Sequence, residues 1–169
     1  MAAQPGKQPA IVVAARALVI HRGHVLLLHA REPGREYYFL PGGGVRHSET
    51  LREACLREVL EETELEVRVV RSLGLREFIA SRHKRRPAGM PEQQHAMAVI
   101  FLCQLATAQA DAPLDQLGRF TRDQGAETVQ GLCWKPLSQI ANLELHPPQL
   151  QHLLAQDLFS AAFEFWPEE

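Results

Sequence analysis

The most constraining stretch of this chain is residues 43–65, GGVRHSETLREACLREVLEETEL, where a glycine-rich loop runs straight into a charged helical segment. Pro41-Gly42-Gly43-Gly44 is a run that no helix or regular strand is expected to hold. Thr50–Thr63 carries the helical pattern, with Ser48 either capping its start or belonging, with Glu49, to the loop. Advancing about 100° per residue from Leu51 gathers Leu51, Ala54, Cys55, Glu58 and Glu62 on one face, with Glu61 at its edge. That stripe is apolar in its first half and acidic in its second. Leu56 and Leu60 occupy another side, which leaves Arg52, Glu53, Arg57 and Glu64 facing solvent. Carboxylates crowded on a core-facing stripe repel one another unless a cation neutralises them, and a hard divalent ion with phosphate as co-ligand suits such oxygen donors. The same residues also read as a solvated charge run held by Arg57–Glu61 pairing at i, i+4. The helix alone does not decide. The glycine loop in front of it, which lets backbone groups approach the same place, favours the metal.

The rest of the chain sets this segment in a mixed framework. Residues 1–9 (MAAQPGKQP) read as a loose tail, and 10–169 as a single domain. Ile11–Ile20 and Val25–Ala30 are strand-like and joined at Arg22-Gly23, a hairpin turn. Tyr37–Leu40 is a short aromatic strand. Strand signals resume at Val67–Ala80, at Ala96–Leu105 and at Val129–Trp134, while Thr107–Gly125 reads as loop. Pro136–Ala141 suits a short helix and Pro148–Phe163 a longer one closing the domain. Strands that alternate irregularly with two or three helices give an α/β fold, a mixed sheet covered by helices on both faces. The apolar run Ile11–Ile20 is interrupted by Arg16 and is far shorter than the ~20 residues of a membrane span, so it reads as a buried strand. With no other targeting or spanning pattern, a cytoplasmic protein without membrane contact is expected. Cys55, Cys103 and Cys133 each sit in apolar stretches and read as reduced core residues. A formal charge of −2 argues against a protein built to coat nucleic acid or an anionic membrane, so stable nucleic-acid binding is not expected.

Residues 43–65 match a known pattern, G-x5-E-x7-R-E-U-x-E-E-x-G-U with U aliphatic, as Gly43, Glu49, Arg57, Glu58, Val59, Glu61, Glu62 and Leu65. This is the Nudix box, and the chain resembles the Nudix (MutT-like) hydrolase family. The strand pattern, Leu40-Pro41-Gly42-Gly43-Gly44 and Trp134-Lys135-Pro136-Leu137 extend the resemblance over most of the chain. One position departs from the pattern: Glu64 stands where the family usually has glycine. Glycine there suits a left-handed helix exit, and another residue costs ~1–2 kcal/mol if that conformation is kept.

The resemblance implies a Nudix-like α/β/α sandwich and a Mg²⁺ site, with Mn²⁺ able to substitute. It implies Glu58, Glu61 and Glu62 as the ligand set, joined by the backbone carbonyl of Gly42. Arg57 would pair with Glu49 or Glu61 and orient the carboxylates, and Glu49 would support the loop or reach the metal through water. The general base varies in the family: Glu58 and Glu61 are the choices inside the box, and Glu77, Glu92 and Glu127 outside it, with Glu127 ranked first among the outsiders. The implied reaction is hydrolysis of a diphosphate linkage in a nucleoside diphosphate joined to another moiety, by water attack on phosphorus. Two alternatives stand beside it: a nucleoside triphosphate pyrophosphatase acting on oxidised or noncanonical nucleotides, and a catalytically silent nucleotide sensor. The partner is a small nucleotide-like diphosphate, and a homodimer is allowed.

Subfamily markers do not choose the substrate. Ala80 and Ser81 stand where ADP-ribose hydrolases tend to carry proline, and the tyrosine of diadenosine polyphosphate hydrolases and the SQPWP of NADH-type enzymes are missing. Ser81–Arg86 (SRHKRR) reads either as a solvated loop or as a phosphate grip, with Arg82 and Arg85 as the contacts. Of Tyr37, Tyr38 and Phe39, at least two should be core, and Tyr38 is the choice for stacking on a base. His83 and His95 read as hydrogen-bonded bystanders.

Overall fold

The computed structural model describes residues 10–83, 90–121 and 128–168. Arg22 (φ 46°) and Gly23 (φ 71°) both take positive φ, as a two-residue hairpin turn that follows the strand twist requires. They join β1 (Val12–His21) to β2 (His24–Glu32), and β3 (Arg35–Phe39) follows. The glycine run, expected to be irregular, is a short strand β4 (Gly42–Gly44) antiparallel to Ala14–Arg16 of β1. Close approach explains it: a Cβ on Gly42 would lie 2.2 Å from the Ala15 carbonyl oxygen, so only glycine lets the two backbones pair here. Next come α1 (Leu51–Thr63), β5 (Val67–Ile79), β6 (His95–Leu105), β7 (Val129–Pro136), β8 (Leu145–His146), α2 (Leu150–Leu154) and β9 (Glu164–Trp166).

The strands form one curled mixed sheet in the order β8-β3-β2-β1-β6-β5-β9, with β4 on β1 and β7 on β2. The pairs β1–β6, β3–β8 and β5–β9 are parallel and the others antiparallel. Strand alternation in β1 separates two cores. Ala15, Ala17 and Val19 face Ala54, Cys55 and Val59 of α1 with Phe101 and Cys103. Leu18 faces the other way, toward Leu150, Leu153 and Leu154 of α2 with Ile140 and Trp166. The alanines on the first face let α1 lie close to the sheet. The result is the expected α/β/α sandwich, with helices on both faces of a mixed sheet.

Helix α1 is capped by Thr50 rather than Ser48. Thr50 Oγ1 accepts the Glu53 amide at 3.2 Å, and the Glu53 carboxylate accepts the Thr50 amide at 2.8 Å. Ser48 belongs to the loop with φ 64°. The helix leaves through Glu64 at φ 57°, ψ 18°, so the left-handed exit is kept although glycine is absent. The long closing helix expected over Pro148–Phe163 shrinks to Leu150–Leu154. Asp157 ends it by accepting the Phe159 amide (3.1 Å) and the Ser160 hydroxyl (2.8 Å), a local turn that competes with helical bonding. A 3₁₀ turn covers Leu137–Asn142, where a short helix was expected. Among the described residues, no helix is long and apolar enough to cross a membrane.

Candidate active site

The site is assembled where β1, β4 and α1 meet. Pairing of Gly42–Gly44 with β1 fixes the glycine strand in front of the acidic half of the helix. The Gly42 amide donates to Glu62 Oε2 at 2.7 Å. A Cβ on Gly43 would fall 2.6 Å from the Glu58 carboxylate, which therefore rests against the bare Gly43 Cα. Glu58 and Glu62, one helical turn apart, thus deliver their carboxylates to adjacent glycines, Glu58 to Gly43 and Glu62 to Gly42.

Arg57 gathers the other box residues. Its Nε and Nη2 donate to the two oxygens of Glu49 at 2.6 and 2.9 Å, a bidentate fork. Its Nη1 donates to Glu58 Oε1 at 2.6 Å and Glu61 Oε2 at 3.0 Å, and Nη2 also reaches the Gly44 carbonyl at 3.0 Å. The side chain is only 16% exposed, so Arg57 is not the solvent-facing residue that the helical wheel suggested. The wheel follows angle alone and misses a loop folded back over the helix. Hydrogen bonds to Glu49 first, and to Glu58 and Glu61, hold the guanidinium protonated far above its ordinary range. In return the Arg57 fork, with help from the Arg46 amide, holds the Glu49 carboxyl at about 2. Arg46 Nη2 adds a contact to Glu61 at 3.2 Å.

The Gly42 carbonyl, implied as a metal ligand by the resemblance, accepts a hydrogen bond from Arg16 Nη1; the amide of the same residue is the group that touches Glu62. Arg16 also reaches the Leu40 carbonyl at 3.5 Å. Burial pushes its guanidinium down, while Glu62 and Glu58 pull it back up. The sequence showed Arg16 only as an interruption in an apolar strand. A cation inside such a run was the available sign that it had buried carboxylates to meet.

Oxygen-only donors converging on a glycine strand, with space kept by the missing Cβ of Gly43, fit a hard divalent ion. Among the described residues, no three His, Cys, Asp or Glu side chains are grouped closely enough as they stand to hold a metal ion. Glu58, Glu61 and Glu62 instead lean on Arg57, Arg46 and the Gly42 amide, partners that an incoming cation would replace.

The remaining candidates are more scattered. Tyr38 is buried at 9% exposure, with its ring stacked on His29 (4.9 Å between centroids) and Lys135 Nζ 5.0 Å from its centroid. Arg82 is exposed in a 3₁₀ turn that follows β5. Glu77 pairs with His95 at 3.0 Å, and His83 stacks on Phe78 at 4.6 Å, so both histidines have the ordinary partners expected of them. Arg85 and Glu127 lie outside the described residues, as do the other basic positions Lys84 and Arg86 and the 1–9 tail. The segment 114–121 was not singled out from the sequence, yet it is tied to the C-terminal end of α1. The amides of Arg119 and Thr121 donate to the Thr63 and Glu62 carbonyls at 2.8 and 3.0 Å. An open cleft of about 530 Å³ lies between this segment and β7, lined by Leu117, Phe120 and Trp134 among others.

Comparison with known proteins agrees with this geometry. A family model described as the NUDIX domain matches residues 11–156. A solved UDP-X diphosphatase superposes with a TM-score of 0.60 at 20% identity, covering 95% of this chain and 68% of the other. A NUDIX hydrolase from Nitrosomonas europaea gives 0.64 at 17%, covering 95% and 80%. An ADP-ribose pyrophosphatase from Streptococcus suis gives 0.58 at 18%, covering 94% and 100%. With the box residues gathered around Arg57 and most of the chain inside the family match, this protein belongs to the Nudix family, the pyrophosphohydrolases that act on phosphoric anhydride bonds.

Proposed function

We propose that the protein hydrolyses the diphosphate linkage of a nucleoside diphosphate joined to a second moiety, using Mg²⁺ or, in its place, Mn²⁺. The observation that carries this reading is the delivery of Glu58 and Glu62 to Gly42 and Gly43, with Arg57 linking Glu49, Glu58 and Glu61. Glu58, Glu61, Glu62 and the Gly42 carbonyl are the oxygens that would hold the ion. When bound, it supplies Lewis-acid neutralisation of charge on the phosphate oxygens. Arg57 fixes the orientation of three carboxylates and keeps Glu49 ionised. A carboxylate base, Glu58 or Glu61 in the helix or Glu127 beyond it, takes the proton from the attacking water. The water oxygen bonds to phosphorus, the anhydride P–O bond breaks, and the departing phosphate carries away the electron pair. Arg82 and Arg85 are proposed to help hold the substrate, whereas Tyr38, buried with its ring stacked on His29, is core and not a base-stacking residue.

Structural neighbours whose names state UDP-X diphosphatase and ADP-ribose pyrophosphatase activity support a linked nucleoside diphosphate as the substrate class. The free thiols Cys55, Cys103 and Cys133 suit a reducing cytoplasmic setting. The deciding experiment is a hydrolysis screen over a nucleotide library with Mg²⁺ or Mn²⁺, resolving both products. Two monophosphate-type products from linked diphosphates support the reading. Inorganic pyrophosphate released from nucleoside triphosphates alone would replace it with triphosphate pyrophosphatase activity, and no turnover of any compound would leave a sensor.

A further inference from the structure

Two arginines outside the box lie on the sheet face opposite α1. In register, Arg16 of β1 pairs with Ile100 of β6, and Ile100 with Gly74 of β5; Ala14, Ala98 and Arg76 form the adjacent row. Residues two apart on a strand share a face, so Arg16 and Arg76 project from the same side with the small side chain of Ala98 between them. Two strand spacings and one row separate their Cα atoms by about 12 Å, which two extended arginines can span. The negative charges of Glu62 and Glu58 act on Arg16. Here β1 has parted from β2, with which it pairs only at Ile20–Val25 and His21–His24, and it takes β4 as its neighbour instead.

The two guanidiniums are close enough to repel each other, and burial holds Arg76 down at about 10, while the charge of Glu168 acts the other way. Two other partly buried arginines have their forks closed. Arg35 is bonded to Glu144 and His146, and Arg71 to the Phe159 and Ala161 carbonyls at 2.7 Å each. Arg76 lies over the Phe78 ring at 4.8 Å, and among the described residues it makes no hydrogen bond and no ion pair within 4.0 Å. A half-desolvated guanidinium whose donors are open, facing a second cation, is unfavourable until an anion arrives. A phosphate group matches both the charge and the planar fork.

We propose that Arg16 and Arg76 form an anion subsite that receives a phosphate group of the substrate beside the carboxylates of Glu58 and Glu62. This deepens the proposed function and rests on it for the identity of the ligand. The subsite is part of the chain itself, so it can be tested without metal and without turnover. The probe is methylenediphosphonate, whose P–C–P bond resists hydrolysis, titrated calorimetrically into protein in EDTA at low salt. Wild type is expected to bind it and Arg76→Gln to bind about tenfold more weakly, with the fold checked by circular dichroism. Arg76→Lys keeps the charge but loses the fork, and is expected to bind about threefold more weakly; it carries the test if the glutamine variant does not fold. Glu62→Gln should bind at least as tightly as wild type, because it removes a competing negative charge. No wild-type binding up to about 10 mM, or wild-type affinity in the folded Arg76 variants, overturns the subsite. Those outcomes do not depend on hydrolysis, so the subsite and the proposed reaction fail separately.

Discussion

Replacing Glu64 by glycine should stabilise the protein, and the size of the gain follows from the helix exit. Glu64 sits at φ 57°, ψ 18°, a left-handed conformation that costs a residue with a Cβ about 1–2 kcal/mol. Its amide donates to Leu60 at 3.0 Å and its carbonyl accepts from Gln109 Nε2 at 3.3 Å, both backbone contacts that glycine retains. Glycine gives back about 0.4–1 kcal/mol through the greater freedom of the unfolded chain. The last turn of α1 carries no basic residue, so a carboxylate at the negative end of the helix adds a further unfavourable ~0.3 kcal/mol or more. The net gain is about 1 kcal/mol, a rise in Tm of about 2–4 °C for a chain of this size. Urea denaturation and calorimetry of wild type, Glu64→Gly and Glu64→Gln separate the backbone effect from the charge. Glutamine should recover only the charge part. A glycine variant no more stable than wild type would refute the claim that the exit is strained.

Three further outcomes test the site. Gly43→Ala should keep its Tm within about 2 °C but lose at least ~10-fold in kcat, because its Cβ meets only the movable end of Glu58. Gly42→Ala, whose Cβ would strike the Ala15 backbone at φ 133°, should lose about 3 kcal/mol or more by urea denaturation. The Glu49 carboxyl is depressed to about 2 by Arg57, so the stability it contributes is present above about pH 4.5 and is lost as pH falls toward 2. A pH series of denaturation midpoints should show that loss in wild type and a flatter acid limb in Glu49→Gln.

Local patterns carried much of this protein. The period of Leu51–Thr63 gave the helix within a residue, and the i, i+4 spacing of Glu58 and Glu62 placed both carboxylates on one side of it. The hairpin at Arg22-Gly23 was equally legible, because its backbone demand is local. What depended on distant partners was not. The glycine run becomes a strand only because β1 passes within reach of it, and Arg57 is covered by a loop that the helical wheel does not contain. Leu150–Leu154 stops short because Asp157 bonds its own neighbours, a choice that apolar periodicity does not register. Arg16 and Arg76 acquire meaning only when β6 brings their strands together, 60 positions apart in sequence.

The central claim is that the carboxylate face of α1 carries out hydrolysis of an anhydride bond, and Glu62→Gln tests it most directly. Glutamine keeps the shape and still offers Oε1 to the Gly42 amide, so it removes the charge and little else. Turnover of the best substrate with Mg²⁺ should be measured on the same preparation as the melting temperature. The account predicts a fall in kcat of at least ~100-fold with a Tm within about 2 °C of wild type. Wild-type turnover in a folded Glu62→Gln protein would contradict it.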